Sequence, residues 1–121
     1  MRSRAELGRH GESVAVAHLE RVGLRILARN WRCPAGELDV VALDGSCLVA
    51  VEVKTRSSLA YGHPAEAVTW EKAARLRRLT AQWLQDHGAE HGHLSSVRID
   101  VVAVLCPAQG PALVQHLRSV A

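Results

Sequence analysis

The sequence predicts an α/β domain: a mixed β-sheet flanked by helices, in the order αβββαβ(β). Three observations predict it. Two stretches carry apolar residues at helical spacing and close at glycine. Short runs rich in Val, Leu and Ile, broken by turn residues, lie between and after them. The chain has 121 residues, 48% of them hydrophobic, which fits one domain over residues 1–121 with a sizeable core and leaves too little for two.

The first helix is expected from about Arg4 to Val22, with Gly23 as the left-handed residue that ends it. Ala15, Val16, Leu19 and Val22 follow Glu12 at offsets of three, four, seven and ten, which puts Glu12 on the buried stripe. Strands are expected at Leu24–Arg32, Glu37–Leu43 and Leu48–Lys54. Pro34-Ala-Gly36 separates the first two, and Asp44-Gly45 signals a hairpin between the second and third. A loop containing Ser57, Ser58, Gly62 and Pro64 follows. The second helix is expected over Trp70–His87, capped by Thr69 and closed at Gly88. Its apolar face is Ala73, Leu76, Leu79, Trp83 and Leu84, with Thr80 the one polar interruption. Val97–Leu105 reads as a further strand and Leu113–Val120 as an edge strand.

Composition narrows the classes. No apolar run approaches the length of a membrane span, and the basic Met1–Arg9 stretch has no apolar signal-peptide core. Cys33, Cys47 and Cys106 form no CxxC pair and are odd in number, which fits free thiols in a reducing compartment. A cytoplasmic protein is expected. The net charge of +3 is a mild bias toward polyanions. Its make-up is more telling: Lys54 and Lys72 stand against thirteen arginines, so a lysine inside an apolar run calls for an explanation.

That run is Leu48-Val-Ala-Val-Glu-Val-Lys54. By strand alternation Val49, Val51 and Val53 point one way, and Ala50, Glu52 and Lys54 the other. Charges on a covered sheet face are costly unless paired or bound to a metal. The preceding strand supplies Asp39. A turn over residues 44–47 sets Asp39 opposite Glu52 and Glu37 opposite Lys54; a turn of 44–45 sets Asp39 opposite Ala50. Either keeps Asp39 on the Glu52 face, about 5–8 Å away. Two carboxylates at that spacing can share a cation such as Mg²⁺, and an adjacent lysine can orient or deprotonate water or offset developing charge. This combination suits phosphodiester hydrolysis. Glu12 could approach the same place from the first helix.

Gly36-Glu-Leu-Asp39 followed by Val51-Glu-Val-Lys-Thr-Arg56 resembles the Asp…Glu-x-Lys signature of the PD-(D/E)XK nucleases. With Gly11-Glu12, Leu27-Ala-Arg-Asn30, Gly62-His-Pro-Ala-Glu-Ala67, Lys72 and Arg98-Ile-Asp-Val101, the ordered set across residues 7–105 resembles the YraN-type family of predicted endonucleases, which is similar to Holliday-junction resolvases. The resemblance implies a restriction-endonuclease-like fold and a Mg²⁺-dependent endonuclease, with Mn²⁺ able to substitute. It implies DNA as substrate, with branched or nicked structures as candidates, and a homodimer as a candidate assembly. It makes Asp39 and Glu52 the metal ligands, Lys54 the catalytic lysine and Glu12 the auxiliary acid. Where the family usually carries Phe, this chain has Ala50 on the site-facing side, a change expected to widen the pocket.

Rival readings compete. Asp39, Glu52 and Lys54 could be a structural ion-pair network, or the acids could bind a metal for stability alone. The domain could also be a catalytically weak nucleic-acid-binding module that keeps the nuclease fold. Glu12 could be a helix-dipole partner and Glu37 a partner of Lys54. Arg56 and Lys72, with Arg75, Arg77 and Arg78, are candidate phosphate contacts, and a solvated basic surface is the alternative for each. Tyr61 could stack on a base, whereas Trp83 is expected in the core. His87, His91 and His93 have irregular spacing for zinc and read as a solvated loop, and the cysteines as inert fillers.

Overall fold

The computed structural model describes residues 2–58 and 68–120; Tyr61 and the Gly62–Ala67 motif lie outside them. Helix α1 (Arg4–Arg21) starts where the Ser3 hydroxyl accepts the Glu6 N–H at 3.1 Å. It ends in a Schellman motif: Gly23 has φ 98°, its N–H reaches the Glu20 carbonyl, and the Leu24 N–H reaches that of Leu19. Leu24 and Leu19 then share one core cluster. The buried stripe of α1 is Gly11, Ala15 and Leu19, with Glu12 half-buried at its margin. Val22, expected on that stripe, is the C-cap and is 42% exposed, because the helix has already left the sheet there.

Strands β1 (Arg25–Cys33), β2 (Gly36–Asp44) and β3 (Cys47–Arg56) form an antiparallel meander. Helix α2 (Trp70–His87) and a 3-10 turn (Gly88–His91) carry the chain to β4 (Ser96–Leu105), which runs parallel to β3. A parallel neighbour needs such a crossover. The edge strand β5 (Leu113–Leu117) pairs antiparallel with β4, giving the sheet order β1-β2-β3-β4-β5. The expected α/β order and mixed sheet are found.

The sheet is covered on both faces. On the α1 side Val40, Val49, Val51, Val102 and Val104 pack with Ala15 and Leu19. On the α2 side Val41, Leu48 and Ile99 pack with Leu76, Leu79 and Trp83. Thr80 is tolerated there because its hydroxyl donates to the Leu76 carbonyl at 2.7 Å. Ala50 is also interior to this cluster, 1% exposed, so its small side chain packs beneath α2 and does not widen a surface pocket.

The hairpin pairs residues whose numbers sum to 91, from Val40↔Val51 to Asp44↔Cys47. The turn is therefore Gly45-Ser46, with Gly45 at φ 61°. The register is that of the first expected alternative, and it runs only as far as Val40↔Val51.

Candidate active site

Beyond that last pair, β2 and β3 part. Leu38 lies in the α2-side cluster and Val40 in the α1-side cluster, although residues two apart in a regular strand share a face. The alternation therefore reverses at Asp39. The neighbouring strand is irregular at the same level: Asn30 has φ 52°, a left-handed conformation that Asn tolerates better than most residues. Freed from the ladder, the Asp39 carboxylate turns to β3, where Oδ2 accepts the Val53 N–H at 2.9 Å. Asp39 thus takes over a donor that a regular β2 backbone would have satisfied.

A cleft of about 350 Å³ opens at this parting and is lined by Glu12, Asp39, Glu52, Lys54 and Arg56, with Arg4 and Gly8 at its helical wall. Gly11 lets α1 approach: a Cβ built there would sit 2.6 and 2.8 Å from the Cγ2 and Cβ of Thr55. That contact brings Glu12 alongside β3, and Asn30 Nδ2 donates to Glu12 Oε2 at 3.0 Å. The left-handed Asn30 therefore holds the acid of the first helix.

Lys72, the only other lysine in the chain, comes in from α2. Its Nζ lies 2.8 Å from Glu52 Oε1, and Lys54 Nζ lies 3.7 Å from the same oxygen. Both lysines thus converge on one carboxylate, whose side chain is 12% exposed. Lys72, a candidate phosphate contact or solvated cation from the sequence, is paired with Glu52 in this structure. Glu37, expected beside Lys54, instead pairs with Arg32 on β1 at 2.9 Å, well exposed, because the strands part before Glu37 can reach Lys54. Arg56 is an exposed residue at the cleft.

The electrostatics are uneven. Burial, then the charge of Glu52, pushes the Asp39 carboxyl from 3.8 up to about 6; the Val53 N–H opposes this, and Glu12 and Glu37 add to it. Burial pulls Lys54 down, and the hydrogen bond and charge of Lys72 pull it further. Burial acts most strongly against Lys72, but its hydrogen bonds to Glu52 and Lys54 and the charge of Glu52 together outweigh it and raise the group. The two lysines are thereby sorted, one inclined to lose its proton and one to keep it.

Among the described residues no three His, Cys, Asp or Glu side chains converge to hold a metal ion. Asp39 and Glu52 are a two-carboxylate set, with Asp39 Oδ1 left over from the bond to Val53. Such a set fits Mg²⁺, which commonly takes one or two carboxylates and keeps its waters, and it does not fit a closed zinc site.

A second polar cluster centres on Arg98 and Asp100, which the sequence offered only as part of a motif and without a role. Asp100 on β4 is fully buried and accepts from Arg98 Nε at 3.1 Å, His116 Nε2 at 2.8 Å and the Ser119 N–H at 3.0 Å. Arg98 also donates to Asp44 at 2.7 Å, and His18 of α1 meets His116 Nδ1 at 3.1 Å. A signal was present: a lone acid inside the apolar run Ile99–Leu105 raises the same question as Glu52 in its strand. His87 and His91 pack their rings on buried Trp83, at 5.4 and 5.5 Å between centroids, which gives them a structural role in place of a solvated loop.

Among the described residues no helix is long and apolar enough to cross a membrane. Over residues 11–104 the chain matches the family described as Uncharacterised protein family UPF0102. It is 61% identical over 120 residues to a UPF0102 protein of Beutenbergia cavernae, covering 99% of both chains. A UPF0102 protein of Frankia casuarinae is 57% identical over 119 residues, 98% of both. One from Kineococcus radiotolerans is 52% identical over 120 residues, 99% of this chain and 97% of its own. With the match extending from Gly11, beside the cleft's Glu12, to Val104 in β4, the chain belongs to the UPF0102 family.

Proposed function

We propose that this protein is a metal-dependent endonuclease with a restriction-endonuclease-like core, hydrolysing phosphodiester bonds of DNA in the cytoplasm. The observation that carries the reading is the meeting of the chain's two lysines on Glu52, beside an Asp39 carboxyl that burial and Glu52 push up to about 6. Asp39 and Glu52 would hold Mg²⁺, or Mn²⁺ in its place. A bound ion of this kind polarises a phosphoryl oxygen and lowers the pKa of water.

The chain's own groups supply the rest. Lys54, depressed by burial and by Lys72, takes the proton of the attacking water at Nζ. The water oxygen bonds to phosphorus as the bond to the leaving sugar oxygen breaks, and that oxygen takes a proton from solvent water to leave as the alcohol. Lys72 keeps its charge, at the Glu52 side of the cleft, where it would offset negative charge on a phosphoryl oxygen. Arg56 and Arg4 at the cleft offset phosphate charge. Glu12, anchored by Asn30, orients water on the α1 side.

One observation favours the rival reading of a nucleic-acid-binding module without catalysis: the 2.8 Å Lys72 contact already satisfies Glu52. Cleavage decides between them. Linear, nicked, flapped and four-way DNA, labelled and incubated with Mg²⁺ or Mn²⁺, should be cut by the parent protein and spared in chelator. Lys54→Ala should slow cutting roughly 10²–10⁴-fold with little loss of affinity at a fixed salt concentration. If the parent binds these DNAs and cuts none, the module reading stands.

A further inference from the structure

Of the three tryptophans, Trp83 is 2% exposed and Trp31 half-buried, but Trp70 is 83% exposed. An indole contributes most to folding when buried, and Trp70 contributes almost none of that. It opens α2 directly after the Thr69 cap. Lys72, in the same turn, reaches the other way to Glu52, so the two side chains leave opposite flanks of one helical turn, roughly 10 Å apart across the helix. A stacked strand covers that in about three nucleotides.

The flank that bears Trp70 has a definite composition. Ala74 and Arg77 follow at four and seven residues, so they share its face. Ala74 leaves the ring face open, and Arg77 and its neighbour Arg78 are exposed. Among the described residues neither arginine makes an ion pair. A flat aromatic surface followed by cations matches a base followed by its phosphates, and stacking of this kind accepts any unpaired base. A fully paired duplex hides its base faces and cannot use it.

We infer that Trp70 is a stacking platform for an unpaired base, so the site takes DNA with single-stranded nucleotides in preference to continuous duplex. The inference rests on the proposed function, and one binding experiment separates their fates. Fluorescence anisotropy, with chelator and at one salt concentration, compares a labelled single strand with the duplex of the same sequence, for the parent, Trp70→Ala and Trp70→Phe. Melting curves check that each variant is folded.

The parent should bind the single strand more tightly and lose tryptophan emission on binding. Trp70→Ala should weaken single-strand binding roughly 5- to 150-fold, the range for loss of one stacked base, and change duplex binding less than twofold. Trp70→Phe should recover most of the loss. If the alanine variant weakens both DNAs alike or neither, the inference is overturned while the nuclease reading survives. If the parent binds no DNA, both fall. If Trp70→Ala alters only self-association in sedimentation, Trp70 belongs to a contact between copies and the inference is wrong.

Discussion

Replacing Asp39 by asparagine should make the metal-free protein more stable, and increasingly so as the pH rises. The carboxyl is pushed from 3.8 to about 6 by burial and by Glu52, so the fold favours its protonated form. The sign follows: this group's contribution is fully present below about 3.8 and is lost as the pH climbs through about 6. At roughly 1.4 kcal/mol per tenfold step, the ionised group costs the fold up to about 3 kcal/mol at pH 8. The cost falls to about 1.5 kcal/mol at pH 5 and about 0.5 kcal/mol at pH 4. Asparagine has nearly the same shape, and its Oδ1 can still accept the Val53 N–H, so the comparison isolates the charge. For a domain of this size the gain at pH 8 corresponds to a Tm rise on the order of 10–15 °C. Urea unfolding followed by circular dichroism, with chelator at pH 4, 5 and 8, reads it directly. A difference that stays constant across these pH values, or an asparagine variant less stable than the parent at pH 8, refutes the account of Asp39 as a largely buried carboxylate with no cation of the fold beside it.

The same melts carry three further expectations. Millimolar Mg²⁺ or Mn²⁺ should raise the parent's Tm at pH 8 by mass action and leave Asp39→Asn almost unmoved; a flat parent would remove the metal site. Gly11→Ala should cost about 1–3 kcal/mol by overpacking against Thr55 and widen the gap between α1 and β3, which stability and hydrogen exchange of α1 will show; an unchanged protein would mean the helix has slack. On the acid side stability should fall again. Burial first, then the charges of His116, Arg21 and Arg118, depress His18, so its contribution is intact above about 6.5 and is lost as the pH falls through the depressed value. His18→Asn should blunt that acid limb, and an identical limb in the variant would place its cause elsewhere.

Local signals made most of the fold legible. Gly23, Thr69 and the helical spacing fix α1 and α2 because caps and periodicity are short-range. The hairpin register follows from the turn, since a one-residue slip would turn every valine of β3 outward. The same register set Asp39 opposite Glu52, but the ladder ends one pair short of them, and Asp39 reaches the cleft by leaving it for the Val53 N–H. What the sequence did not disclose depends on more distant partners. Lys72 meets Glu52 through the packing of α2 on the sheet, which no spacing between residues 52 and 72 encodes. The reversal at Asp39 depends on Asn30 being left-handed in the neighbouring strand, and an asparagine within a run of strand residues does not announce that. The Asp100 cluster joins α1, β2, β4 and β5, and beyond the Arg98–Val101 motif the sequence pointed to it through the oddity of an acid in an apolar strand.

The two buried acids of the sheet show how such a strand signal divides into structure and site. Asp100 accepts hydrogen bonds from a guanidinium, an imidazole and a backbone amide, and its arginine is shared with Asp44. Its lone pairs are occupied and its charge is balanced, so a cation added there would have to displace an existing partner. Asp39 accepts one hydrogen bond among the described residues, from Val53. It faces Glu52 across a cleft wide enough for water, and Glu12 adds a third negative charge at the margin. Two lysines lean on Glu52 and none is placed on Asp39 by an ion pair among the described residues. A network that served stability alone would be expected to close around both acids, since an uncompensated buried carboxylate costs several kcal/mol. Here the fold closes one and leaves the other open toward solvent, which is where a cation from solution would return the energy that the fold forgoes.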